Sequence, residues 1–303
     1  MQLFKLNTMK KIALSILFFV IGSIILKAQS PDHKWVNEVP PEKLGKLIHE
    51  TYYSKIHQTE IGYSIALPSG YSNEKNATRK YPVIYFLHGG NPGNENRTGY
   101  YNFIKSDSLT PMIYVWNNGG KHKSHYDFPQ FKSYAESSFI QELIPYIDST
   151  YRTISDRTAR GLQGYSMGGR AAARYIFKFP ELFSVSVSMA GGHQWEKENS
   201  DKKGNNGEYK PNDNSWDLAK IYAENPDNPL VKLFVIDGMD DRNYESNVAW
   251  SSHLNNLGIH HSLTLVQGAN HGDFSKIMEQ IGPKTIHYIF YQNFIEAIDK
   301  YNK

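Results

Sequence analysis

Val83-Ile84-Tyr85-Phe86-Leu87 is apolar at every position, and so is Met112-Ile113-Tyr114-Val115-Trp116. A strand with one wet face alternates polar and apolar residues. A strand apolar throughout must be covered on both faces. Shorter runs extend the pattern. Ile61 to Leu67 reads as a first strand ended by Pro68-Ser69-Gly70, and Arg160 to Gln163, Val185 to Met189, Leu233 to Ile236 and Ser262 to Val266 read as later ones. Helical spacing lies between them: Phe139, Ile140, Leu143, Ile144 and Ile147; Ala171 to Phe177; Glu245 to Leu257; and Ile286, Phe290, Phe294 and Ile298 after a break at Gly282-Pro283. Strands alternating with helices predict an α/β fold with a mostly parallel central sheet and helices on both faces. Such sheets carry their sites at the carboxyl ends of the strands. A chain of 303 residues is long enough to fill one such domain.

The N-terminus reads differently. Lys10 and Lys11 precede an apolar run from Ile12 to Leu26, and Lys27-Ala28-Gln29 follows. A basic start, an apolar stretch and a small residue predict a secretory signal over residues 1–28, cut after Ala28. Met9 is an alternative start, and an uncleaved anchor is the alternative to cleavage, although the stretch is somewhat short for a membrane span. Residues 29–50 carry Pro31, Pro40 and Pro41 among polar residues and are expected to form a loosely packed leader, with the main domain over 51–303. The expectation is a secreted or periplasmic protein without a stable membrane anchor after cleavage.

Composition removes several function classes. Four of the 33 Lys and Arg residues fall in 1–28, where no acid occurs, so the remainder carries 29 basic against 30 acidic residues, a net charge of −1. Neither nucleic acid nor an anionic membrane is an expected partner. The absence of cysteine excludes disulfides, a thiolate nucleophile and cysteine-held zinc.

Gly164-Tyr165-Ser166-Met167-Gly168 matches G-x-S-x-G. The match is weak alone, but a short strand precedes it and an Ala-rich helix follows, which is the setting of a nucleophile elbow. Ser166 is then the candidate nucleophile. A serine hydroxyl needs a base. Of 12 histidines, His271 in Gly268-Ala269-Asn270-His271-Gly272 follows the last strand, at the end where Ser166 should stand. His260 and His261 lie at the opposite end. The orienting acid should come between Ser and His in the chain, and Asp237-Gly238-Met239-Asp240-Asp241 follows the Leu233–Ile236 strand. Asp241 is the choice, one turn past the strand end; Asp240 is its rival, and Asp237 serves to end the strand. Oxyanion donors are expected at the backbone N–H of Met167 and of Gly90, with Asn91 as an alternative. His88 is expected to be structural.

With these residues in place, the chain resembles the esterase D family of α/β-hydrolases, which includes feruloyl and acetyl-xylan esterases, S-formylglutathione hydrolase, enterochelin esterase and the mycolyltransferases. The matching stretches are Tyr81 to Gly89, Glu142 to Ile147, Gly161 to Gly169, Phe179 to Phe183, Gly238 to Asp241 and Gly268 to His271. The family's G-x-x-D segment has its catalytic acid last, at the place of Asp241. The resemblance implies an α/β-hydrolase fold and hydrolysis of carboxylic esters without metal or organic cofactor. Where the family strand ends in Asp-Gly, this chain has Trp116-Asn117-Asn118-Gly119, a change expected in the pocket wall.

Export and aromatic richness, with 21 Tyr, 15 Phe and 5 Trp, favour feruloyl or acetyl esters on oligosaccharide fragments as substrate. Trp195, with His193 and Gln194, and Asn91 are candidate substrate-binding residues; an ordinary surface loop is the plainer reading for 193–195. Residues 191–214 are read as a long polar loop. Acyl transfer, siderophore ester cleavage and sugar binding without catalysis are the alternatives. The oligomeric state is open.

Overall fold

The apolar runs become the centre of one sheet. The computed structural model describes residues 34–38, 47–90, 94–96, 98–104, 109–120, 125–201 and 209–303. The expected signal over 1–28 therefore lies outside the described residues, as does most of the expected leader. The strands are β1 (Leu47–Ser54), β2 (Thr59–Ala66), β3 (Val83–Leu87), β4 (Ile113–Asn117), β5 (Arg160–Tyr165), β6 (Val185–Met189), β7 (Lys232–Gly238) and β8 (His261–Val266). They lie in the order β1-β2-β4-β3-β5-β6-β7-β8. β1 and β2 form an antiparallel pair, β2 runs antiparallel to β4, and all pairings from β4 to β8 are parallel. This is the mixed, mostly parallel sheet of an α/β-hydrolase.

Consecutive strand residues point to opposite faces. Val83, Tyr85 and Leu87 join one core with Leu162 and Val235, while Ile84 and Phe86 join a second with Trp116 and Val187. The first face is covered by α1 (Ala135–Ser138, continuing through a π-helical turn, Phe139–Leu143, into Ile144–Thr150), α2 (Met167–Lys178), α4 (Ser215–Glu224) and α5 (Tyr244–Asn256), which supply Phe139, Tyr175, Leu218 and Trp250. The second is covered by α6 (Phe274–Ile281) and α7 (Pro283–Tyr301), which supply Ile277, Phe290 and Phe294. The break foreseen at Gly282-Pro283 separates these two helices, with Gly282 at φ 84°.

Two expectations change. The boundary set at residue 50 falls inside β1, whose residues pair with β2 from Leu47 onward. Its burial is mixed, with Ile48, Glu50 and Tyr53 exposed and Leu47, Tyr52 and Ser54 buried, as suits an edge strand. Trp35 and Asn37 are also tied to the domain: the Gly62 N–H donates to the Trp35 carbonyl at 2.7 Å, and buried Glu95 accepts from the Asn37 N–H and side-chain amide at 2.7 and 2.9 Å. The polar stretch 191–214 contains α3 (Gln194–Asp201), and α4 begins at its end on an Asn214 cap accepting from Trp216 and Asp217.

Candidate active site

The elbow forms where β5 gives way to α2 with a single residue between them. That residue, Ser166, has φ 56° and ψ −118°. The turn needs small neighbours. A Cβ on Gly164 would strike the carbonyl oxygen of Gly168, and one on Gly168 the carbonyl of Leu87. The Ser166 N–H donates to the Met189 carbonyl at 2.8 Å, which ties the elbow to β6.

Two later loops meet Ser166. The segment after β7 is stitched to the segment after β8 by the Met239 N–H on the Val266 carbonyl and the Asp240 N–H on the Ala269 carbonyl, at 2.9 and 3.0 Å. That stitching brings the next residue, Asp241, against the imidazole. His271 Nε2 lies 2.8 Å from Ser166 Oγ, and His271 Nδ1 lies 2.8 and 3.0 Å from the two carboxylate oxygens of Asp241. The Asp241 carboxylate is buried and also accepts from the Asn243 N–H at 2.7 Å. With Nδ1 donating to Asp241, Nε2 presents its lone pair to the serine hydroxyl, which donates. Tyr165 fixes the loop by donating its hydroxyl to the His271 carbonyl at 2.7 Å.

The neighbouring acids separate by environment. Asp240 is exposed and makes no contact with the imidazole. Asp237 is fully buried; it accepts from the Gly238 N–H at 2.8 Å and from the Asn247 amide. Burial, reinforced by the Asp241 charge, outweighs those donors and pushes its carboxyl up to about 7. It does more than end the strand.

Gly90 and Ser166 both line a cleft of about 640 Å³, with Phe86, Tyr100, Tyr165, Arg242, His271 and Phe274 around them. Met167 opens α2, where the first N–H groups of a helix have no partner within it. Gly89 packs tightly beneath, since a Cβ there would lie 3.0 Å from the Tyr165 carbonyl and 3.4 Å from Ser166 Cβ. His88 is buried and structural: its Nε2 accepts from the Gly119 N–H at 2.9 Å, so Nδ1 carries the proton, and its carbonyl accepts from His125 at 3.0 Å.

Three expected pocket features lie elsewhere. Trp195 stands half-exposed on α3, with the Arg170 guanidinium 5.2 Å from its ring and Tyr209 edge-on; it does not line the cleft formed by the described residues. His193 is core: it stacks on Trp250 at 3.6 Å between the hydroxyls of Ser188 and Ser215, and burial holds its pKa well below the usual histidine range. Asn118, expected in the pocket wall, instead donates to Glu95 and to the Trp35 carbonyl, both at 3.0 Å. Asn91 lies outside the described residues. Sequence reasoning passed over Tyr165, Arg242, Asn243, Phe86 and Tyr100. The first three adjoin the motif residues directly, whereas Phe86 and Tyr100 look like ordinary core. Among the described residues no cluster of His, Cys, Asp or Glu is placed to hold a metal, and no helix is long and apolar enough to cross a membrane.

Comparison with known proteins agrees with the fold. The Esterase family model matches residues 54–275. Esterase Rv1288 of Mycobacterium tuberculosis is 30% identical over 151 residues, covering 46% of this chain and 32% of that protein. An endo-1,4-beta-xylanase/feruloyl esterase of Xylanibacter ruminicola is 28% identical over 174 residues, covering 52% of this chain and 23% of that protein. The chain thus spans a third or less of the length of these relatives. A solved ferulic acid esterase superposes with a TM-score of 0.62 at 24% identity, covering 84% of this chain and 98% of the other.

Proposed function

This chain belongs to the Esterase family, and on that premise we propose that it hydrolyses carboxylic esters through Ser166, His271 and Asp241. The observation that carries the reading is the unbroken chain of contacts from Ser166 Oγ through His271 to Asp241, opening on a cleft. Ser166 Oγ attacks the ester carbonyl while His271 Nε2 takes its proton. Negative charge collects on the former carbonyl oxygen, where the N–H groups of Met167 and Gly90 receive it. The carbon–oxygen bond to the alcohol breaks, and His271 returns the proton to the leaving alkoxide. Water, deprotonated by the same imidazole, attacks the acyl-serine; the acid leaves and Ser166 regains its proton. Asp241 stays ionised and stabilises the imidazolium.

Feruloyl or acetyl esters on polysaccharide fragments are the substrates we favour, outside the cytoplasm. The support is the signal-like pattern of residues 1–28, the aromatic lining from Phe86, Tyr100, Tyr165 and Phe274, and the feruloyl esterase named among the relatives. Ser166→Ala should lose labelling by a fluorophosphonate probe and lower turnover of methyl ferulate and acetylated xylan by at least about 10³-fold. Retained labelling or turnover would reject the assignment.

A further inference from the structure

Among the described residues, one permanently charged cation lines the cleft beside Ser166, Arg242. Other arginines in the domain have a clear structural task. Arg160, Arg170 and Arg174 each meet a carboxylate, and Arg152 and Arg157 bond to backbone carbonyls. Arg242 is exposed and has neither an ion pair nor a hydrogen bond among the described residues. Its exposed neighbours in the chain, Asp240 and Glu245, lie outside ion-pair distance, and Asp241 is taken up by His271 and the Asn243 N–H. A guanidinium left unpaired at the wall of a site presents five donors in a planar fork that matches a carboxylate.

The position of Arg242 indicates which half of the ester it meets. It follows the carboxylate that holds His271 and lines the cleft together with His271 and Gly272. It therefore stands on the imidazole side of Ser166. In ester cleavage the imidazole delivers its proton to the leaving alcohol, so that side faces the alcohol half.

We propose that Arg242 selects esters whose alcohol half carries a carboxylate, such as O-acylated uronic acids or hydroxy acids. The proposal rests on the serine-esterase reading above. It adds a charge requirement that the aromatic lining does not supply.

The test uses purified wild-type protein and Arg242→Gln on two matched pairs. 3-Acetoxybenzoate and 3-acetoxybenzamide release the same acetyl group from phenols that differ in charge. The kcat/KM ratio of charged to neutral substrate should fall about fivefold in Arg242→Gln, mostly through KM, and only partly in Arg242→Lys. Added salt should bring the wild-type ratio toward that of the variant. An equal ratio in wild type and Arg242→Gln overturns the proposal. 4-Nitrophenyl hydrogen succinate and 4-nitrophenyl butyrate place the charge on the acyl half instead, and a drop confined to this pair overturns the assignment to the alcohol side. The serine-esterase reading fails separately, if Ser166→Ala turns over these substrates as wild type does.

Discussion

Ser166 sits at φ 56° and ψ −118°, a backbone conformation that costs a residue bearing a Cβ roughly 1–3 kcal/mol. The cost is the physical form of placing the hydroxyl clear of the sheet. Two inactive variants separate strain from chemistry. Ser166→Ala keeps the Cβ, whereas Ser166→Gly removes it. After allowing for the greater freedom of glycine in the unfolded chain, Ser166→Gly should be the more stable by about 1 kcal/mol in urea unfolding. A Ser166→Gly less stable than Ser166→Ala by about 0.5–1 kcal/mol, the entropy cost of glycine alone, would mean the turn is unstrained. Ser166 and His271 were legible in the sequence because each stands next to a recognisable strand end, and Asp241 because it falls between them in chain order. Trp195 and His193 misled for one reason: a large or titratable side chain near an elbow reads as a site residue, and only the packing of Trp250 and Arg170 against them assigns them elsewhere.

Among the elements, the joint between β5 and α2 tolerates least. Gly168 lies so close to the Leu87 and His88 carbonyls that an added methyl has no free space. Gly168→Ala should cost about 1–3 kcal/mol or more and abolish fluorophosphonate labelling. Gly90→Ala is the control, since a Cβ there meets nothing within 4 Å among the described residues, and it should unfold at nearly the wild-type urea concentration. A normal midpoint for Gly168→Ala would show that α2 and the end of β3 can move apart. The central strands were readable because burial on both faces leaves an apolar string with no gaps. β1 was not, because Leu-Ile-His-Glu-Thr-Tyr-Tyr-Ser mixes polar and apolar residues without strict alternation and follows a proline-rich segment. Helix α3 was hidden by composition: Glu196, Lys197, Glu198 and Asn199 make it look like loop, although Glu196 is buried against Arg170 and Tyr126.

For the molecule as a whole, the buried carboxyl of Asp237 sets a pH dependence of stability. Its pKa is about 7 in the native state against 3.8 for a free aspartate side chain, as in the unfolded chain. Between those values the native state holds a proton that the unfolded chain has released. Stability from this group is therefore complete below about 3.8 and declines as pH rises through about 7. Asn mimics the neutral acid, so Asp237→Asn should gain in Tm relative to wild type as pH goes from 4 to 8. A gap independent of pH would show that Asp237 is ionised throughout. The position of β1 bears on how this protein should be handled. The matched family region begins at Ser54, the last residue of that strand. A recombinant fragment cut to that border would strip the outermost ribbon, leave the backbone of β2 open along its length, and free the Gly62 amide that Trp35 now receives. Such a raw flank is a template for sticking chain to chain, so the trimmed version would tend to precipitate.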